Sequence, residues 1–70
     1  MKVSARNQLK GVVKSIKEGG VMAEVIIKLA SNEELVSVIT VTSLHSLDIA
    51  VGKAVTVIIK STEVMLGVDE

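Results

Sequence analysis

Six residues in three pairs have side chains suited to one chemistry: Ser4 and Arg6, Thr40 and Ser43, and Lys60 and Ser61. Arg and Lys neutralise a dianion, and hydrogen bonds to charged groups are the strong ones, about 1.5–3 kcal/mol each. Hydroxyls and backbone N–H groups donate to the remaining oxygens, and Ser43 stands at the start of an expected helix whose dipole favours negative charge. Together they suit a small oxyanion. Each pair alone also has a plainer reading. A cation at a strand end is ordinarily solvated, and Ser or Thr ahead of a helix is ordinarily a cap. Spacing along the chain does not show that the six meet in space.

Catalysis has no comparable support. Glu18, Glu24, Glu33 and Glu34 fall at turns or on polar strand positions, where they read as solvated charges that keep edges from pairing. Ser43 and Ser46 flank His45, but a nucleophile needs a base held by a third group, and nothing marks one. His45 is expected to face water, and the three methionines to fill apolar space. The chain holds no phosphate-binding loop, dinucleotide-binding glycine pattern or calcium loop, and no metal is expected to be ligated by side chains.

Composition narrows the partner further. Lys+Arg and Asp+Glu number 8 each in 70 residues, and aromatic content is 0%. A general nucleic-acid binder carries a basic surplus, and a single-strand binder needs aromatic faces for stacking. The chain has no Cys, so disulfides, zinc-thiolate sites and thiol redox chemistry are excluded. No apolar run is long enough to span a bilayer and the first residues lack a signal-peptide apolar region, so a soluble cytoplasmic protein is expected. Yet 49% of residues are hydrophobic. A domain of about 60–70 residues buries only about 60% of its unfolded surface and is marginal without a staple. Burial between subunits of a homo-oligomer answers both facts; a compact, unusually aliphatic monomer is the alternative.

The elements that must position the six residues are mostly strands. Thirteen Val, seven Ile and four Thr, with no Pro, favour β structure. Strands are expected over 8–18, 21–30, 35–41, 54–60 and about 63–68. Gly11 is read as a bulge or bend, and Gly19-Gly20 as a hairpin turn supplying positive φ. In the second strand Val21, Ala23, Val25, Ile27 and Leu29 share one face; Met22 and Ile26 leave the other half apolar, as an oligomer interface would. A hydroxyl cap followed by Leu44 and Leu47 reads as one or two turns of helix, and Gly52-Lys53 as a turn. The order fits a single all-β domain over 1–70, a five-stranded OB-like Greek-key barrel with one short helix between strands 3 and 4. A two-layer sheet-plus-helix domain is the runner-up.

Three strings then narrow the reading. SARNQLKG (4–11), VITVTSLHSLDIAVGKAV (38–55) and IKSTEVML (59–66) resemble the signature segments of the Mop, or molbindin, family, and the resemblance covers essentially the whole chain. It implies an OB-like barrel assembled as a hexamer, a trimer of dimers, that binds molybdate or tungstate at subunit interfaces for intracellular storage or homeostasis. By motif, Ser4 and Arg6 match the family's anion ligands in the SARNQ box, and Lys60 and Ser61 its lysine–serine pair after the fourth strand. Thr40 and Ser43 match the residues that a neighbouring subunit contributes. A second class of sites near the threefold axis is known in the family, with ligands not assignable here. Asp48 departs from the pattern, since many relatives have glycine there; its carboxylate either weakens anion binding nearby or points to water. An all-donor site disfavours phosphate, which carries a proton at neutral pH and needs an acceptor. Two other functions stand beside this one. One is an OB-fold nucleic-acid module, supported by fold analogy alone. The other is an assembly or regulatory module that senses molybdate.

Overall fold

The computed structural model describes all residues, Met1–Glu70. Its elements in chain order are β1 (Asn7–Glu18), β2 (Met22–Leu29), β3 (Glu34–Thr40), α1 (Val41–Ser46) and β4 (Ala54–Ile59), followed by a single 3₁₀ turn at Ser61–Glu63. The four strands form one antiparallel sheet in the order β3-β2-β1-β4. β1 is the hub: Asn7–Val12 pair with β4, and Gly11–Glu18 pair with β2. The sheet therefore curls around β1 into a half-barrel whose edges, β3 and β4, do not pair.

This corrects the five-stranded expectation. Residues 64–70 have no strand partner, and the chain after Ile59 turns through Ser61–Glu63 instead of continuing along an edge. Alternating β-branched residues make a segment competent to be a strand, but a strand exists only when an edge receives its backbone donors and acceptors.

The bulge lies at Lys14, where the β1–β2 register shifts between Val13 and Ser15, not at Gly11. Gly11 serves a different need. A Cβ there would sit 2.5 Å from Ile27 Cγ2 and 2.8 Å from the Lys28 carbonyl oxygen, so only glycine lets β1 and β2 approach at that point. Neither Gly19 nor Gly20 has a positive φ. The hairpin closes through Gly19 N–H donating to the Met22 carbonyl at 2.8 Å, which leaves no room for a side chain at Gly19.

The concave face of the sheet carries the core. Val13, Ala23, Val25 and Ile27 are buried with Leu44 of α1, and Ile16, Leu29, Ile39, Val41, Ile49, Val55 and Val57 pack around them. Val21 does not join this face; it lies in the hairpin turn and is exposed. None of the methionines fills the core either, because Met1 and Met65 lie in the terminal segments and Met22 on the convex face of β2. Only 6 of 70 residues are buried, so a single chain leaves most of its apolar surface in water.

The helix has the expected one to two turns, and its caps lie at Thr40 and Leu47. Thr40 is its N-cap, its Oγ1 accepting from Ser43 N–H at 3.0 Å. Leu47, expected on the apolar face with Leu44, is the C-cap and is exposed. Asp48 N–H donates to the His45 carbonyl and Ile49 N–H to the Leu44 carbonyl, both at 3.0 Å. These are the two bonds of a Schellman ending, and Ile49 supplies its apolar contact by packing on the cluster that holds Leu44. Asp48 has φ 52°, the left-handed conformation that such an ending requires. Lys53 Nζ donates to the Leu47 and Asp48 carbonyls at 2.9 and 3.0 Å, satisfying further acceptors at the helix end. Gly52, at φ 91°, then lets its N–H reach the Val13 carbonyl, while Val13 N–H donates to the Lys53 carbonyl.

Candidate functional site

The β1–β4 ladder decides which candidate residues meet. It ends at the pair Asn7–Ile59, so Arg6 and Lys60 are the next residues outward on adjacent strands. Ser4 follows on one side and Ser61 on the other. Lys60 Nζ donates to Ser4 Oγ at 3.0 Å, joining residues 56 positions apart. Four of the six candidates thus converge at one end of the sheet.

What holds Ser4 there is local. Ala5 is buried at 8% exposure, and Gln8 Nε2 donates to the Ala5 carbonyl at 3.2 Å, folding the N-terminal segment back on the start of β1. Gln8 belongs to the same SARNQ string as Ser4 and Arg6, yet its positioning role was not read from the sequence. Its signal is a three-residue spacing that matters only if Ala5 is anchored, which burial decides.

The electrostatics suit an anion. Arg6 and Lys60 are exposed, and neither is paired with a carboxylate; the close carboxylate contacts are Lys14–Glu34 and His45–Glu18, elsewhere. The hydroxyl geometry fits too. Ser4 Oγ already accepts from Lys60, which leaves its own proton to donate outward. Ser61 opens the 3₁₀ turn after β4 and is exposed.

Thr40 and Ser43 do not join this group. Thr40 pairs with Met22, at the end of the sheet that holds Glu18, and on the β3 edge. The two residues lie at the opposite end of β1 and the opposite edge of the sheet from Lys60. They bond to each other, Thr40 Oγ1 donating to Ser43 Oγ at 2.8 Å while accepting from the Ser43 N–H. The proton on Ser43 Oγ is thereby left free. His45 is exposed on α1, as expected, and its Nε2 also lies 2.8 Å from Glu18 Oε1 at the end of β1. Glu34, also read as solvated, bonds to Lys14. Asp48 lies at the far end of α1 from Thr40 and Ser43, and its left-handed backbone is the physical reason glycine suits that position.

The largest surface depression, about 460 Å³, lies elsewhere, on the convex side around Lys10, Gly11, Lys28 and Asn32. It is open and holds none of the six candidates. No group of three His, Cys, Asp or Glu side chains gathers to hold a metal ion, and no helix is long and apolar enough to cross a membrane.

Comparison with known proteins places this geometry. The TOBE domain model matches residues 3–66. The chain belongs to the TOBE domain family, in its molybdenum-pterin-binding group. It is 44% identical over 66 residues to molybdenum-pterin-binding protein 3 of Clostridium pasteurianum, covering 94% of this chain and 97% of that one. The structure of MopII from the same organism superposes with a TM-score of 0.90 at 40% identity, covering 96% of this chain and 100% of that one. A molybdate-binding protein from Sporomusa ovata superposes with a TM-score of 0.89 at 41% identity, covering 94% and 97%. The half-barrel described above is thus the architecture of this TOBE domain, and the SARNQ and IKS strings fall within the matched span.

Proposed function

We propose that this TOBE domain binds molybdate, and tungstate with it, as an intact tetrahedral dianion at sites built between copies of the chain. The observation that carries the reading is the Lys60–Ser4 hydrogen bond. It brings the two motif strings together, with Arg6 next to the ladder's last pair on one strand and Ser61 next to Lys60 on the other, and neither Arg6 nor Lys60 is in a salt bridge. Thr40 and Ser43 complete the site from a neighbouring subunit, since one chain holds them at the far end of its own sheet. The oligomer is a hexamer arranged as a trimer of dimers, which also accounts for a chain with so few buried residues.

The donor set explains selectivity. Arg6, Lys60 and the hydroxyls of Ser4, Ser43 and Ser61 offer protons and no carboxylate acceptor, so an anion that retains a proton at neutral pH leaves that proton unpaired. Phosphate is disfavoured on that ground and sulfate on size. The role is cytoplasmic storage and homeostasis of the oxyanion, without catalysis. Binding of single-stranded nucleic acid is opposed by zero net charge and 0% aromatic content. A pterin ring finds no aromatic face to stack on for the same reason.

Native mass spectrometry of the purified protein with and without molybdate tests the reading. A hexamer that gains discrete molybdate masses, and none from phosphate, supports it. A species that takes up no molybdate overturns it.

A further inference from the structure

Ser43 sits on a helix of only six residues, far along the sheet from the Lys60 of its own chain. The roll of that helix about its axis therefore decides where the Ser43 hydroxyl points. The core does not fix the roll by itself. Leu44 is the buried residue of α1, and Val41 and Ile49 pack on the same apolar cluster. All three hold the helix against the sheet along one line, and a short helix can rock about such a line.

Successive helix residues are about 100° apart, so Ser43 and His45 flank Leu44 on opposite sides. Rocking that carries one towards the sheet carries the other away. His45 reaches back 27 positions in the chain, its Nε2 lying 2.8 Å from Oε1 of Glu18, the last residue of β1. Glu18 is itself well placed to hold a helix. Its backbone pairs with Ala23, and directly after it Gly19 N–H donates to the Met22 carbonyl to close the hairpin. Val41 N–H donates to the Val21 carbonyl of that hairpin, so the start of α1 is referred to the same structure.

We propose that His45 is a positioning residue for the oxyanion site, its bond to Glu18 setting the roll of α1 that aims Ser43 Oγ at the anion. The bonds between Thr40 and Ser43 set the rotor of the hydroxyl; the His45–Glu18 contact sets the helix that carries it. His45 touches no anion oxygen in this role. The two side chains are 67% and 44% exposed, and such contacts contribute little to folding, so the contact can be removed without unfolding the chain. The proposal rests on the oxyanion reading of Ser43 given above.

Isothermal titration with molybdate at fixed pH and ionic strength tests it on the parent, His45→Ala, Ser43→Ala and their combination. His45→Ala should weaken binding about two- to fivefold, the range of an exposed pair, with an unchanged thermal transition. Ser43→Ala should weaken binding roughly tenfold or more. In the Ser43→Ala background the His45 substitution should have no further effect, because it acts only through the Ser43 hydroxyl. A loss that persists there means that the uncovered Glu18 charge acts on the anion directly, and overturns the positioning role. Exchanging the pair, Glu18→His with His45→Glu, rebuilds the bond while moving the carboxylate onto α1. Affinity that returns towards the parent's supports positioning; affinity no better than that of His45→Ala overturns it. The two possible failures are distinct. A loss at Ser43→Ala with none at His45→Ala overturns the proposal and leaves the site standing, whereas parent-like binding by Ser43→Ala overturns the site reading itself.

Discussion

The bond between Lys60 and Ser4 gives the sharpest test of the proposed site. Lys60→Ala removes a charge-assisted contact to the anion, about 1.5–3 kcal/mol, or roughly 10- to 150-fold in Kd. It also removes the donor that occupies Ser4 Oγ at 3.0 Å, so the Ser4 hydroxyl is no longer held with its proton outward. Ser4→Ala removes a hydroxyl donor to a charged ligand and should weaken binding by roughly tenfold or more. Because the two groups touch, their effects should not add. The double variant is expected to bind only slightly less well than Lys60→Ala alone, with a coupling of about 0.5–3 kcal/mol in the cycle. Isothermal titration with molybdate at fixed ionic strength, on the four proteins of the cycle, measures this. Both side chains are exposed, so their thermal transitions should stay close to the parent's and losses of affinity should not report unfolding. Strictly multiplicative losses would refute the idea that Lys60 orients Ser4, and parent-like binding by Lys60→Ala would refute the site.

Other outcomes follow from packing and backbone geometry. Gly11→Ala drives a methyl into Ile27 and the Lys28 backbone, and should destabilise the fold by about 1–3 kcal/mol in urea titration; an unchanged midpoint would show that β1 and β2 can separate there. Leu44→Ala removes the side chain that docks α1 on the sheet, at 3% exposure, and should lower stability by about 2–5 kcal/mol with loss of protection at α1 amides in hydrogen exchange. Asp48→Gly relieves the left-handed backbone at φ 52° and is expected to raise stability by up to about 1 kcal/mol, since the chain-entropy cost of glycine offsets part of the gain. Molybdate affinity should be unaffected by that change; a marked increase would mean that the carboxylate acts on the anion after all.

Much of this architecture was legible in local pattern. Alternation along Ala23, Val25 and Ile27 marked the buried face of β2 because strand side chains repeat every two residues and one face must leave water. Thr40 and Ser43 bracketed the helix start because a hydroxyl there satisfies an otherwise unpaired N–H. The same locality explains the errors. Gly11 looked like a bulge, but its requirement is the distance to Ile27 on another strand, which no local pattern records. Leu47 looked like core at helical spacing from Leu44, but the Schellman ending turned the chain one residue too soon and gave that role to Ile49.

By itself, then, the sequence determined the chemical types at the site, the strand-rich class and the surplus of apolar surface, because these follow from side-chain identity and short-range periodicity. Only the tertiary structure decided which residues share a place. The β1–β4 register joined Ser4 and Arg6 to Lys60 and Ser61, and held Thr40 and Ser43 at the other end of the sheet. It also left residues 64–70 without a partner, where a closed fifth strand was expected. Pairing between distant segments depends on which edges the whole fold leaves open, and a strand has no such information within its own residues.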